Sequence, residues 1–440
     1  MGPGGKIGLE SARRGRKRPG RGKHPVKPFP RRLCVMRYFP LLVDEAGQMV
    51  VEMIRKFVDT EIMPIRDKID DDTEHRLINS ILVKMSQLGV FNVELREEGS
   101  GEGLFLPTAC AVIEEFARGD AGIGLVAGIN SWAMAGAVYG RNREVIDLYH
   151  QMQKTKQPTF ACFAMTEPAS GCDVENLAEM RGRTIKTRAV QDGDHWVING
   201  AKRFPSNSGI SSLYCVVCQT DPALGEEGIA LIYVPENTPG LSFGKFEVKA
   251  GLQSDRNCDI FFDDVRVPLS YRAAGPGQDA IILKRNVAVG RVVSAAAAVG
   301  CARGAFEECL RYTGERQVGG KPIREHSIAA GILADAITGL ETARAYYLQV
   351  AYMLSHSETF GEVHSPTMIS HASAAKNYAC AMANETIGRL MELMGSYGYI
   401  RDYHVEKYWR DVKEIQLWLG GHQLGQFDIV RRYYPYKTRS

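Results

Sequence analysis

Two places in the 440-residue chain hold side chains whose type and spacing suit chemistry. Cys215 and Cys218, within SLYCVVCQT, form a Cys-x-x-Cys pair, the spacing of half a zinc site or of a redox dithiol. No second Cys pair completes a zinc site, and the flanking residues are apolar and β-branched, so the pair reads as structural thiols on a buried strand and no metal is expected. The other place is YWRDVKEIQLWLGGHQLGQF (408–427), a helical rhythm that breaks at Gly420 and Gly421 and then resumes. His422 follows the break, and an imidazole, with an unperturbed pKa of about 6.5, is the natural general base near neutral pH. Leu419, immediately before the glycines, can accept no proton.

These residues need elements to hold them. A chain of this length, 45% hydrophobic and 24% charged, is an ordinary globular composition with length for two or three lobes at roughly 150 residues each. From 43 to 157 the text is helical: VDEAGQMVVEMIRKFVDTEI places apolar residues three and four apart, and the small residues of ACAVIEEFARGDAGIGLVAGINSWAMAGAVY let helices approach closely. From 159 to 272, short β-branched or aromatic runs (TFACFAM, DHWVING, LYCVVCQT, IALIYVP, CDIFFDDVRVP) alternate with turn residues, which suits a compact, mostly antiparallel β lobe. From 278 to 432 long amphipathic segments return, joined by short Gly/Pro turns, and imply an up-and-down helical bundle. The expected organisation is a basic extension over 1–37, an α-helical domain over 38–157, a β domain over 158–273 and a helical bundle over 274–440. In such an α+β order, the cleft where the three lobes meet is the default ligand site.

Charge excludes some classes. Residues 1–35 hold eleven Lys/Arg and one acid, leaving 43 basic and 50 acidic side chains in the other 405 residues. The body is mildly acidic and not a nucleic-acid binder by charge. The Gly/Pro/Arg-rich head, without apolar periodicity, is expected to be a disordered, solvated extension, with Met36 as an alternative start. No uninterrupted apolar run reaches the roughly 18 residues of a membrane span; AVGRVVSAAAAVGCA (288–302) contains Arg291 and reads as a buried small-residue helix. Ten scattered cysteines without a framework point to a reducing, cytoplasmic compartment.

Several segments, in order, resemble the acyl-CoA dehydrogenase family of flavoproteins. FAMTEPASGCDV (163–174) is similar to its Thr-Glu-Pro-x-x-Gly-Ser-Asp strand and loop, and WVINGAKRFPSN (196–207) to its Asn-Gly-x-Lys hairpin. DIFFDDVRVP (259–268), ERQVGGKPI (315–323), LADAITGLETAR (333–344) and MELMGSYGYIRDYHVEKYWRD (391–411) continue the series. The resemblance implies an N-terminal helical domain, a middle β domain of antiparallel barrel or sandwich form and a C-terminal four-helix bundle. It also implies bound FAD, an acyl-CoA substrate, an electron-transfer flavoprotein or similar electron carrier, and a homotetramer. Carried over residue by residue, it gives flavin contacts to Phe163, Met165, Thr166, Cys172, Phe204 and Ser206. The diphosphate or adenine end of FAD, reaching across subunits, falls to Arg316, and further cofactor contacts fall to Glu392, Gly395, Ser396, Gly421 and Gln423. Cys172, Arg291, Leu419 and Gly420 are placed near the substrate.

The chain departs from the family where the proton moves. The family's reaction removes an α-proton while a β-hydride passes to the flavin, so a base must face the ring across the acyl chain. Its usual carboxylate aligns with Leu419, and the alternative seat, before an Arg on an earlier helix, aligns with Gly290. Glu392, Ser396, Cys172, Val318, Gly319 and Pro205 also differ from the usual residues. Replacement bases to consider are Asp120, His422, Tyr397 and Tyr399; Asp120 reads equally well as a helix N-cap. Three functions stay open: an acyl-CoA oxidoreductase with a relocated base acting on a cyclic or unusual acyl group, a flavin-dependent lyase on the same scaffold, and a non-catalytic binding subunit.

Overall fold

Apolar spacing and caps account for the first helices of the computed structural model, which describes Tyr38, residues 40–93 and residues 105–434. The extension expected to be disordered lies outside the described residues. Glu45–Phe57 begins where the Asp44 carboxylate accepts the Gly47 N–H at 2.7 Å, and it buries Val51, Ile54 and Phe57 at three-residue spacing. Leu106–Gly119 and Ala121–Tyr139 meet at Asp120, whose extended backbone ends one helix while its carboxylate accepts the Ile123 N–H at 2.9 Å to start the next. Ala121–Tyr139 lies on the sheet by its small residues. A Cβ at Gly136 would stand 2.7 Å from the Tyr233 hydroxyl, which donates to the Ala133 carbonyl at 2.7 Å and accepts the Ala137 N–H at 2.8 Å.

Seven strands make one sheet: β1 (Ala161–Ala164), β2 (Arg188–Asp192), β3 (His195–Lys202), β4 (Leu213–Gln219), β5 (Ile229–Pro235), β6 (Leu241–Phe246) and β7 (Cys258–Pro268), in the order β1-β4-β2-β3-β7-β6 with β5 paired to β4. Most pairs are antiparallel, as expected, but β4 runs parallel to β1 from Ala161↔Leu213 and meets β2 in parallel at Arg188↔Gln219. Parallel neighbours need a long crossover, and the chain between β1 and β4 supplies one. β4 is buried along its whole length, which is why LYCVVCQ is an apolar run without alternation. Cys215 and Cys218 are free thiols on it, and burial pushes both up, Cys218 to about 12.

The 38-residue helix Gln278–Glu315 is the spine of the C-terminal region. Its run Ala295, Ala296, Ala297 and Ala298 is fully buried, and a Cβ at Gly300 would stand 2.4 Å from the Glu114 carbonyl, so it crosses Leu106–Gly119 in backbone contact. Ala121–Tyr139 and Gln278–Glu315 are long and apolar enough to cross a membrane, yet most of each apolar stretch is buried within the protein. Ser327–Ser355, Pro366–Met394 and Val405–Leu417 pack around the spine, and the last helix, Gly421–Arg431, lies on Pro366–Met394 so closely that a Cβ at Gly425 would meet Asn377 Nδ2 at 2.7 Å.

Candidate active site

A cavity of about 1740 Å³ opens where the three regions meet, lined by Trp132 from the first helical region, Phe163, Met165 and Thr166 from the end of β1, and Gly290 and 416–423 from the bundle. A buried ion pair aims the β1 end. Lys202 donates to Glu167 at 2.8 Å and to the Met165 carbonyl at 3.0 Å, and Glu167 accepts the Lys186 and Thr187 N–H groups at 2.7 and 2.9 Å. Burial alone would raise the Glu167 carboxyl, but Lys202 and these donors outweigh it and hold it below the ordinary range. The Glu of the Thr-Glu-Pro loop and the Lys of the Asn-Gly-x-Lys hairpin are thus one structural unit that positions Met165 and Thr166. The Trp132 ring lies 4.5 Å from that of Phe163 at 37°, anchored by its indole N–H on the Asn286 carbonyl at 2.7 Å.

Beside them, the 203–206 segment presents an aromatic face. Phe204 has φ +57° immediately before Pro205 and is 49% exposed on the cavity. It is held there by the Asn257 amide donating to its carbonyl at 2.8 Å and by the Arg203 N–H donating to the Thr166 carbonyl at 2.8 Å. Ser206 donates to Asp255 at 2.7 Å, with Lys249 3.6 Å from that carboxylate and 3.5 Å from Glu414. Burial raises Asp255 and pushes Glu414 up to about 7 despite the shared lysine.

The 418–421 turn explains Leu419. Leu419, Gly420 and Gly421 all have positive φ, +50°, +81° and +59°, and a Cβ at Gly420 would collide with Leu424 at 2.5 Å. A left-handed Leu costs about 1–2 kcal/mol, offset here by burial, since Leu419 is only 9% exposed. Lys376 donates to the Trp418 carbonyl, and the Trp418 indole N–H donates to Ser294 Oγ at 2.8 Å, which in turn donates to the Gly290 carbonyl at 2.7 Å. A Cβ on Gly290 would lie 3.1 Å from Leu419 Cδ1 and 3.5 Å from Trp132. The two seats where the family resemblance puts a base therefore share one corner of the cavity, and in this chain that corner is hydrocarbon on both sides.

Other residues singled out from the sequence divide clearly. Cys172, Gly421, His422 and Gln423 line the cavity. His422 is fixed by its carbonyl, which accepts from Asn377 at 3.0 Å, and its Nδ1 is buried without a partner. Arg291 does not reach the cavity: its buried guanidinium turns into the bundle, donating to Asp428 at 2.6 Å and Ser373 at 2.8 Å, where a permanent cation finds a carboxylate. Asp120 is also outside it, committed as N-cap, as acceptor from Ser254 and as partner of Lys407 at 3.0 Å. Tyr397 packs on Tyr403 at 4.9 Å and Tyr399 is exposed, neither on the cavity. Arg316, Glu392, Gly395 and Ser396 are exposed and away from it.

Several cavity residues were missed from the sequence, Trp132, Asp255, Glu414 and Glu175 among them. Glu175 ends the short helix Cys172–Glu175 and lines the cavity, and burial pushes its carboxyl up to about 7 against the pull of Arg291 and Lys376. Burial likewise pushes the Lys376 ammonium down to about 8. The signal present in the sequence was a second carboxylate just after Asp173 in the loop motif; nothing in local spacing joins it to cations on two distant helices.

Residues 44–142, 162–265 and 280–434 match the N-terminal, middle and C-terminal domains of acyl-CoA dehydrogenase. The chain is 28% identical over 393 residues to the short-chain specific acyl-CoA dehydrogenase of Bos taurus mitochondria, covering 89% of this chain and 91% of that one. It is 29% identical over 380 residues to the cyclohex-1-ene-1-carbonyl-CoA dehydrogenase of Syntrophus aciditrophicus, covering 86% and 88%. The solved butyryl-CoA dehydrogenase of Megasphaera elsdenii, 24% identical, superposes with a TM-score of 0.76 over 90% of this chain and all of that one. With its three domains matched in order and its fold shared, this chain belongs to the acyl-CoA dehydrogenase family.

Proposed function

We propose that the protein is an FAD-dependent oxidoreductase that introduces or removes a C=C bond in an acyl-CoA thioester, on a cyclic or otherwise unusual acyl group. The observation that carries this is the shared corner of Gly290 and Leu419: a site shaped for acyl oxidation whose usual proton acceptors are replaced by apolar packing. A drier, carboxylate-free corner suits a bulky hydrocarbon ring better than a charged one. The relative from Syntrophus aciditrophicus, named for a cyclic acyl-CoA, supports that choice.

The residues present fit FAD. The cavity, at about 1740 Å³, exceeds the roughly 300–1000 Å³ of a site for one small ligand, leaving space for a flavin and an acyl chain side by side. Phe204, Phe163 and Met165 offer apolar faces to a ring, while Thr166, Ser206 and Gln423 bring polar groups to its edge. When bound, FAD supplies the hydride acceptor. The chain's own part is to pack the acyl group between Phe204 and the 418–421 turn, to exclude water with Trp132, Trp418 and Leu419, and to orient polar groups toward the thioester. Arg316, Glu392, Gly395 and Ser396 are exposed outside this cavity, which is compatible with a homotetramer in which Arg316 serves the adenine end of a neighbouring subunit's FAD. Electrons then leave to an electron-transfer flavoprotein in the cytoplasm. The curated relatives are dehydrogenases, which favours redox chemistry over a lyase or a binding subunit.

The visible spectrum of the purified protein tests the cofactor, and anaerobic mixing with straight-chain, branched and cyclic acyl-CoAs tests the reaction. Bleaching by one of these, or reoxidation of the reduced protein by the matching enoyl-CoA, is the expected result. A protein that binds flavin but responds to none of them overturns the reading.

A further inference from the structure

We propose that Glu175 is the catalytic base of this protein, seated on the Cys172–Glu175 helix in place of the carboxylates absent at Leu419 and Gly290. The proposal rests on the oxidoreductase reading above. Three observations place Glu175 at the chemistry. It lines the same cavity as Gly290, Leu419 and Gly420. Its Oε2 is enclosed and accepts no hydrogen bond, like Asp255 Oδ1 on the same cavity, and an enclosed carboxylate oxygen without a donor is a costly arrangement. Finally, the cations facing it are tied to the vacated corner: Arg291 follows Gly290 in the chain, and Lys376 donates to the carbonyl of Trp418, the neighbour of Leu419. The proposed base and the two vacated seats line one cavity.

Three other carboxylates line the cavity, and Glu247 is one of them, on the stretch after β6. Asp255 accepts from Ser206 at 2.7 Å, and Glu414 lies 3.5 Å from Lys249. The groups that face Glu175 are Arg291 on the spine helix, Lys376 on Pro366–Met394, Asp428 on the last helix and Asp173 on its own segment. In the step itself, the ionised Glu175 takes the acyl proton. With FAD supplying the hydride acceptor, the electron pair of that C–H bond would become the new π bond as the adjacent carbon gives up a hydride, a two-electron oxidation of the acyl chain. Burial holds the carboxyl near neutrality, where a base both exists ionised and binds a proton readily.

The test uses the full-length flavoprotein and the acyl-CoA that best bleaches the wild type. In E175Q, flavin bleaching should slow by about 10²–10⁴-fold, while the flavin spectrum and acyl-CoA dissociation constant stay at wild-type values. E175D, which keeps the carboxylate, should recover part of the rate. The wild-type rate should rise with pH through about 7, and E175Q should lose that rise. A readout independent of turnover comes from pH-difference infrared spectra of the flavin-free protein: Glu175 and Glu414 should both give carboxylic acid C=O bands titrating near neutral pH, and E175Q should lose one of the two while E414Q loses the other. Wild-type bleaching rates in E175Q, or the loss appearing in H422Q and not in E175Q, overturn the proposal while leaving the oxidoreductase reading intact. A wild type that never bleaches overturns both.

Discussion

Two of the clusters of opposite charge that the protein buries are built differently. At the crossing of Leu106–Gly119 with Gln278–Glu315, Glu114 accepts from Arg303 at 2.7 Å, from Arg344 Nε at 3.0 Å and from Tyr347 at 2.6 Å, and Glu115 accepts from Arg55 at 2.7 Å. Burial alone would raise both carboxyls, but the arginines outweigh it and hold them well below the usual range. At the cavity, Glu175 sits near Arg291 and Lys376, yet Arg291 is spent on Asp428 and Lys376 on backbone carbonyls, so burial wins and the carboxyl goes up. Donor supply separates a carboxylate that locks a fold from one that can exchange a proton.

Mutations can break this contrast. E114A should have the largest effect, removing the carboxylate that Arg303, Arg344 and Tyr347 share at a cost of about 3–5 kcal/mol, visible as a lower midpoint in chemical denaturation. At the vacated corner, G290A should cost about 1–3 kcal/mol by crowding Leu419, and much less in an L419A background. A double-mutant cycle on denaturation midpoints should give a coupling of about 0.5–3 kcal/mol; additivity would mean that the two seats do not share one space.

The cavity cluster predicts a smaller, pH-linked effect. The folded Glu175 carboxyl titrates near 7, against about 4.3 when unfolded. Its contribution to stability is therefore fully present below the unfolded value and is lost as pH rises through 7. The melting temperature of E175Q should gain on the wild type by about 1–2 °C between pH 5 and pH 8; Glu114, already ionised across that range, contributes no such slope. The exposed pair of Arg401 and Asp71, at 3.1 Å with both side chains mostly in water, should matter least, with R401A within about 0.5 kcal/mol of wild type.

Much of this was written locally in the sequence. The helical and β regions follow from apolar spacing and turn residues, and 288–302 was readable as a buried helix because only Ala- and Gly-rich surfaces let helix backbones touch. The loss of the usual base was equally plain, since Leu419 has no lone pair to offer. Cys215 and Cys218 lie on a buried strand for the same local reason, an apolar run with no alternation.

What local pattern does not carry is which way a side chain turns. Arg291 was read as a substrate contact, yet it turns into the bundle because Asp428, supplied by the last helix, is there to pair it. Asp120 was weighed as a base, yet Lys407 and Ser254 arrive from other regions to engage it. By itself the sequence determined the fold, the family and the absence of a carboxylate at the usual seats. Only the tertiary structure decided that Gly290 and Leu419 are two sides of one corner and that Glu175 lines the same cavity. A pKa and a cavity wall are sums over neighbours brought from distant parts of the chain.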